Sequence, residues 1–169
     1  MTNKSGYFII IRGPLGCGKS TIAEKLADIL HEEHINMDMV LDDNDLDQTD
    51  PDEGCIPAKN FITANDIVLP EVKEKLQNGQ IVIFDACFYH KEVIEHLLQN
   101  LPYSHHVFTL KASLILCIER DSKRNQTYGE GAATAVYNLV TKFDYGTVID
   151  ISKSLDEAVK EIVSYLPKA

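Results

Sequence analysis

One window near the N-terminus constrains this chain more than any other stretch: Gly13-Pro14-Leu15-Gly16-Cys17-Gly18-Lys19-Ser20. It satisfies G-x-x-x-x-G-K-[ST] at each fixed position. The apolar run Tyr7-Phe8-Ile9-Ile10-Ile11 before it predicts a strand, and Ile22, Leu26, Ile29 and Leu30 predict a helix over 21–35. Strand, glycine loop and helix form the context in which such a loop holds phosphate. Glycines let the backbone wrap with its N–H groups turned inward, and the helix N-terminus adds positive potential. Lys19 is then placed to reach β- and γ-phosphates, and the Ser20 hydroxyl to hold Mg²⁺.

A chain of 169 residues suits a single domain with a sizeable core. The longest apolar runs, Phe8–Ile11 and Leu114–Ile118, are too short to span a bilayer. Met1-Thr2-Asn3-Lys4-Ser5 carries no signal-peptide pattern. Cys17, Cys55, Cys87 and Cys117 form no C-x-x-C pair, which predicts reduced thiols in a cytoplasmic protein. The net charge of −10 argues against nucleic acid or an anionic membrane as a general partner. A monomer or a homodimer is equally compatible with the composition.

Further along, Met37–Leu41 reads as a short second strand closed by Asp42-Asp43-Asn44-Asp45. Ala58–Asn78 reads as helix, interrupted near Pro70 and ended by Gly79. Gln80–Asp85 predicts a buried strand that ends on a carboxylate. Helices follow over 90–100, 113–125 and 132–143, with strands over 106–111 and 147–151. Ser154-Leu155-Asp156-Glu157 is a capping box for the last helix. Alternating strands and helices imply a parallel sheet covered on both faces, with ligands at the carboxyl ends of its strands. Gly13, Asp42 and Asp85 are each expected at such an end.

Several residues carry candidate chemistry. Asp85 ends its strand as a Walker-B-type aspartate does, where it could orient Mg²⁺ or contact an acceptor. Asp42, Asp43 or Asp45 could orient and deprotonate an acceptor hydroxyl, and another of the three could reach Mg²⁺. A calcium loop starting at Asp43 fails at Gln48 and Gly54. Arg120 and Arg124 lie four apart, on one helix face, where they could stack on a base and clamp phosphates. His31, His34, His90, His105 and His106 show no three-ligand spacing and read as surface or packing residues. Tyr128-Gly129-Glu130-Gly131 could be a lid hinge or a plain loop.

Over nearly its whole length the chain resembles the nucleotide-kinase-like branch of P-loop proteins. That branch includes shikimate kinase, gluconate kinase, adenylylsulfate kinase, chloramphenicol phosphotransferase and the polynucleotide kinase domain. The resemblance rests on Gly13–Ser20, Leu41–Asp45, Phe84-Asp85-Ala86-Cys87-Phe88, Val107–Arg124 and Val148–Ser152. It implies a three-layer α/β/α fold with a five-stranded parallel sheet in the order 2-3-1-4-5. It also implies Arg120 against adenine, Arg124 as a lid arginine, an acceptor region over 42–79 and a lid over 120–133. The D-x-x-R of the polynucleotide-kinase group and the D-G-F-P-R of nucleoside-monophosphate kinases are absent, and no arginine lies between Arg12 and Arg120 to hold a carboxylate as in shikimate kinase. A GTPase reading finds Thr141-Lys142-Phe143-Asp144 but lacks the D-x-x-G glycine after Asp85.

The resulting expectation is an ATP- and Mg²⁺-dependent kinase acting on a hydroxyl of a neutral or cationic small molecule. Its catalytic candidates are Lys19, Asp42, Asp43, Asp85 and Arg124. Nucleotide contacts are expected from Gly13, Pro14, Leu15, Gly16, Cys17, Gly18, Lys19, Ser20, Thr21 and Arg120, and metal contacts from Ser20, Asp42 and Asp85. The competing readings are a nucleotide-binding switch or regulatory ATPase or GTPase without an acceptor, and an enzyme resembling shikimate or nucleoside-monophosphate kinases.

Overall fold

The computed structural model describes residues 5–124 and 129–168. Five parallel strands lie in the order β2-β3-β1-β4-β5: β1 (Tyr7–Arg12), β2 (His34–Asn36), β3 (Ile81–Ala86), β4 (Ser104–Lys111) and β5 (Thr147–Asp150). Seven helices are described: α1 (Lys19–Leu30), α2 (Met37–Asp43), α3 (Ala58–Gln77), α4 (Lys91–Asn100), α5 (Leu114–Ser122), α6 (Glu130–Val140) and α7 (Leu155–Tyr165). Helices cover both faces of the sheet, giving the three-layer α/β/α arrangement and the strand order that the sequence leads one to expect. Among the described residues no helix is long and apolar enough to cross a membrane.

The central strand shows why both faces are covered. Ile9 and Ile11 point to one face, where they pack with Ile22 and Leu26 of α1 and Val159 and Ile162 of α7. Phe8 and Ile10 point to the other, against Phe61, Val72 and Leu76 of α3 and Val93 and Leu97 of α4. Each such fully buried side chain contributes about 1.5–3 kcal/mol relative to exposure. The strand order reverses at β1, between β3 and β4, and the crevice at such a reversal is where ligands bind in open α/β sheets.

Two elements differ from the sequence reading. The strand expected over Met37–Leu41 is helix α2, and the second strand is the three preceding residues on the sheet edge. Asn36 ends that strand and caps the helix, its side chain accepting from the N–H groups of Asp38 at 3.0 Å and Met39 at 3.3 Å. Asp42 and Asp43 therefore end a helix rather than a strand. In addition, α3 runs unbroken through Pro70. Pro70 is exposed, so the Asp66 carbonyl it leaves without an amide partner lies on the solvent side.

Candidate active site

Gly13–Gly18 leaves the carboxyl end of β1 and turns into α1. Gly16 has φ 73° and Gly18 φ 102°, the left-handed region that glycine enters without penalty. A Cβ on Gly16 would lie 2.4 Å from the Cys117 carbonyl oxygen, so α5 packs directly on the loop. Pro14 and Cys17 are buried, Leu15 and Ser20 partly so, and the Thr21 side chain is exposed on the first turn of α1.

Lys19 is only 7% exposed and donates to the Pro14 carbonyl at 2.8 Å. Burial works against its ammonium charge, but neighbouring groups outweigh that and raise its pKa: Cys87, Cys17, Asp38 and Asp85. Burial pushes the Cys87 thiol up to about 12 and raises that of Cys17, so both are uncharged at neutral pH. The other groups that favour its charge are Asp38 and Asp85.

Asp85, fully buried near the end of β3, gathers the next contacts. The Ser20 hydroxyl donates to its Oδ1 at 3.2 Å. His34 Nε2, from β2, lies 3.1 Å from Oδ2, close enough to pair as a charge. Oδ2 is buried and receives no well-directed hydrogen bond. Contact with Asp85 is the main reason the His34 pKa stands above the ordinary histidine value, against the opposing effect of burial. A serine hydroxyl beside carboxylate oxygens is a hard-oxygen donor set of the kind Mg²⁺ takes, and an under-bonded carboxylate oxygen fits a cation.

Asp38, in the first turn of α2, completes the cluster. Burial raises its pKa first; Lys19 opposes that and Asp85 adds to it. The sequence points to Asp42, Asp43 or Asp45 as the acceptor-side carboxylate. All three are exposed at or just beyond the other end of α2, and among the described residues none of their side chains hydrogen-bonds or ion-pairs with Lys19, Ser20 or Asp85. Asn36 is a local cap signal for the helix that carries Asp38, but that Met37 and Leu41 are buried four apart while Met39 is 61% exposed is set only in the folded chain.

On the far side of the loop, Arg120 donates to the Cys17 carbonyl at 2.9 Å, the Ile151 carbonyl at 2.9 Å and the Lys153 carbonyl at 3.3 Å. It joins α5, the phosphate loop and the segment after β5. Arg124 is about half exposed at the end of α5, 3.9 Å from the buried Asp121 carboxylate. The lid expected over 120–133 falls partly on residues 125–128, including Tyr128, which lie outside the described residues. A cleft of about 380 Å³ opens at the carboxyl ends of β4 and β5, lined by Pro14, Lys111, Tyr137, Thr141 and Ser152 among others. The third arginine, Arg12, is fully buried. It donates to the carbonyls of Phe88, Val140 and Phe143 and to the Thr109 hydroxyl, and lies 4.3 Å over the Phe143 ring.

Residues 8–141 match the model of the family described as AAA domain. No curated protein matches the sequence. A gluconokinase from Sinorhizobium meliloti is similar at TM-score 0.67 and 17% identity, over 96% of this chain and 91% of its own. A sugar kinase from a Janibacter species gives 0.71 and 15%, over 95% and 94%. The APS kinase of Mycobacterium tuberculosis, solved in complex with AMPPNP and APS, gives 0.68 and 16%, over 95% and 96%. These likenesses extend over the whole architecture and speak to fold.

Proposed function

The chain belongs to the AAA domain family, and from that premise we propose that it is a kinase that moves the γ-phosphoryl group of ATP, with Mg²⁺, to a hydroxyl of a small molecule. One observation carries the reading: Asp38, Asp85, Lys19 and Ser20 converge on a phosphate loop at the strand-order reversal. A phosphate loop with a cation and a metal-binding oxygen pair serves any nucleotide hydrolase. A second, raised-pKa carboxylate beside them suits a group that takes the proton from an attacking hydroxyl.

In this reading the loop amides and Lys19 bind the β- and γ-phosphates. Ser20 and Asp85 would hold Mg²⁺, which supplies charge neutralisation at the phosphates. The acceptor oxygen bonds to the γ-phosphorus, the bond from that phosphorus to the bridging oxygen breaks, and ADP leaves. The hydroxyl proton passes to an Asp38 carboxylate oxygen and then to solvent. The base of ATP is placed on the β4–β5 side, against Arg120 and the 151–153 segment, with Arg124 towards the phosphates.

We assign a neutral or cationic acceptor. Asp42, Asp43, Asp45, Asp47, Asp52 and Glu53 are exposed along the acceptor side. Arg12 is committed to the core, so it offers no fork to an anion. Charges spaced within about 10 Å still repel an anionic acceptor at ordinary salt.

The test is ADP release from ATP and Mg²⁺ across matched neutral, cationic and anionic hydroxyl compounds, with Lys19→Ala as the blank. Acceptor-dependent turnover that vanishes in folded Lys19→Ala is the expected result. ATP turnover unaffected by any acceptor points instead to a nucleotide switch. A preference in kcat/KM for shikimate or a nucleoside monophosphate overturns the acceptor assignment alone.

A further inference from the structure

Among the described residues one group of three metal-ligating side chains comes together outside the phosphate loop: Glu53, Cys55 and His90. Their donor atoms all lie within 4.8 Å of one another. We propose that these three residues form a zinc site, with a fourth position left to water. This site does not depend on the kinase reading.

The turn that presents two of the ligands is built before any metal arrives. Asp50 Oδ1 accepts from the N–H of Asp52 at 2.8 Å and of Glu53 at 3.0 Å. The Gly54 N–H donates to the Asp50 carbonyl at 2.8 Å, and the Asp50 N–H to the Cys55 carbonyl at 2.9 Å. Gly54 closes the turn at φ 70°. The third ligand comes from 35 residues away in sequence: His90 occupies the N-cap position of α4, and its ring rests against Tyr89 and Phe61 at 4.9 and 6.0 Å between centroids.

The spacing suits tetrahedral zinc. Zn–S of about 2.3 Å and Zn–N of about 2.0 Å at a tetrahedral angle put sulfur and nitrogen about 3.5 Å apart. Cys55 Sγ and His90 Nε2 are 3.9 Å apart. Thiolate, imidazole and carboxylate together favour zinc over Mg²⁺ or Ca²⁺, and a thiolate with a carboxylate balances its double charge. Cys55 is 8% exposed while Glu53 is open to solvent, so the ion enters from the Glu53 side.

Loading has a definite proton balance. Cysteine binds zinc as the thiolate, so the Cys55 thiol gives up its proton on loading. His90 Nε2 lies 2.8 Å from the Ile56 carbonyl and donates to it. Zinc would form bonds to Sγ, Nε2 and a Glu53 oxygen, and the hydrogen bond from Nε2 to the Ile56 carbonyl would break. The thiol proton goes to solvent, and the imidazole proton moves to Nδ1 through solvent. One proton is released per zinc, and the 50–55 turn becomes fastened to the start of α4.

The experiment uses the full chain, stripped with chelator and kept in excess magnesium so that Ser20 and Asp85 are covered. Zinc is titrated against a chromophoric chelator, and cobalt is titrated for its thiolate charge-transfer band. One zinc per chain, one proton released and a thiolate band are expected. Cys55→Ser should abolish the band and weaken zinc binding by at least about 100-fold, more than the loss of an outer-shell partner costs. Glu53→Gln, an exposed change that leaves the fold alone, should weaken it by about tenfold or more. Cys117→Ser should keep the band. No stoichiometric binding, a cobalt spectrum without the thiolate band, or affinity unchanged in Cys55→Ser and Glu53→Gln would overturn the site.

Discussion

His34 Nε2 stands 3.1 Å from Asp85 Oδ2, so a titratable group touches the carboxylate assigned to Mg²⁺. The His34 pKa is raised by that contact. The ion pair therefore adds stability in full below the ordinary histidine pKa of about 6.5, and the contribution is lost as pH rises through the raised, folded value. Mg²⁺ and the imidazolium compete for Asp85. Mg²⁺ affinity should fall as pH drops through that folded value and recover above it. His34→Gln should flatten the dependence. Mg²⁺ titrations of the nucleotide complex at several values between about pH 6 and 8 would check this; parallel slopes in the two proteins would refute it.

Asp38→Asn should lower kcat by about 10²–10⁴-fold, the usual contribution of a positioned base, with nucleotide affinity little changed. Because its pKa is raised, activity should climb with pH as the Asp38 carboxyl loses its proton, above the range of an ordinary aspartate. Asp42→Asn and Asp43→Asn should leave kcat within about threefold, since both are exposed at the far end of α2. Equal losses at Asp38 and Asp42 would restore the strand-end assignment.

The phosphate loop was legible because its chemistry is local: the spacing of Gly13, Gly18, Lys19 and Ser20 and two flanking elements suffice. The strand order was legible only through the resemblance, since spacing alone does not say which strands are neighbours. The site's acceptor side was not legible in the same way. Met37, Met39 and Leu41 alternate with polar or smaller residues and mimic a strand. The deciding facts are tertiary: α3 buries Met37 and Leu41, and β2 is an edge strand of three residues. The metal-ligand triplet escaped for another reason. Glu53, Cys55 and His90 are joined by folding across 35 residues, which no sequence spacing announces.

Gly16→Ala should damage nucleotide binding more than it damages the fold. The added Cβ meets the Cys117 carbonyl at 2.4 Å and sits at φ 73°. Strain and overpacking cost about 1–3 kcal/mol. The relief is a shift of the loop or of α5, which carries Arg120, and a misplacement of about 1 Å can cost about 100-fold in turnover. Denaturant melts and nucleotide titrations of one preparation would separate the two effects. A variant with unchanged nucleotide affinity would contradict the packing argument.

Arg12→Met keeps much of the bulk of a fully buried side chain but strands the carbonyls of Phe88, Val140 and Phe143. Each unsatisfied buried acceptor costs about 1–3 kcal/mol, so a loss on the order of 3 kcal/mol or more is expected in urea unfolding. Destabilisation below about 1 kcal/mol would mean that those carbonyls find other donors.

The same guanidinium has a mechanical consequence. Phe88 sits at φ 45°, a left-handed conformation that a bulky residue keeps only under restraint, and Arg12 Nε holds its carbonyl at 3.3 Å. The other nitrogens of that planar group hold the end of α6 and the turn after it, at 3.0 and 3.1 Å. The end of α6 and the turn after β3 are thereby tied to one rigid plate set in the last residue of β1. A movement of the α6 end must either break these bonds or be passed to the turn that carries Tyr89 and His90.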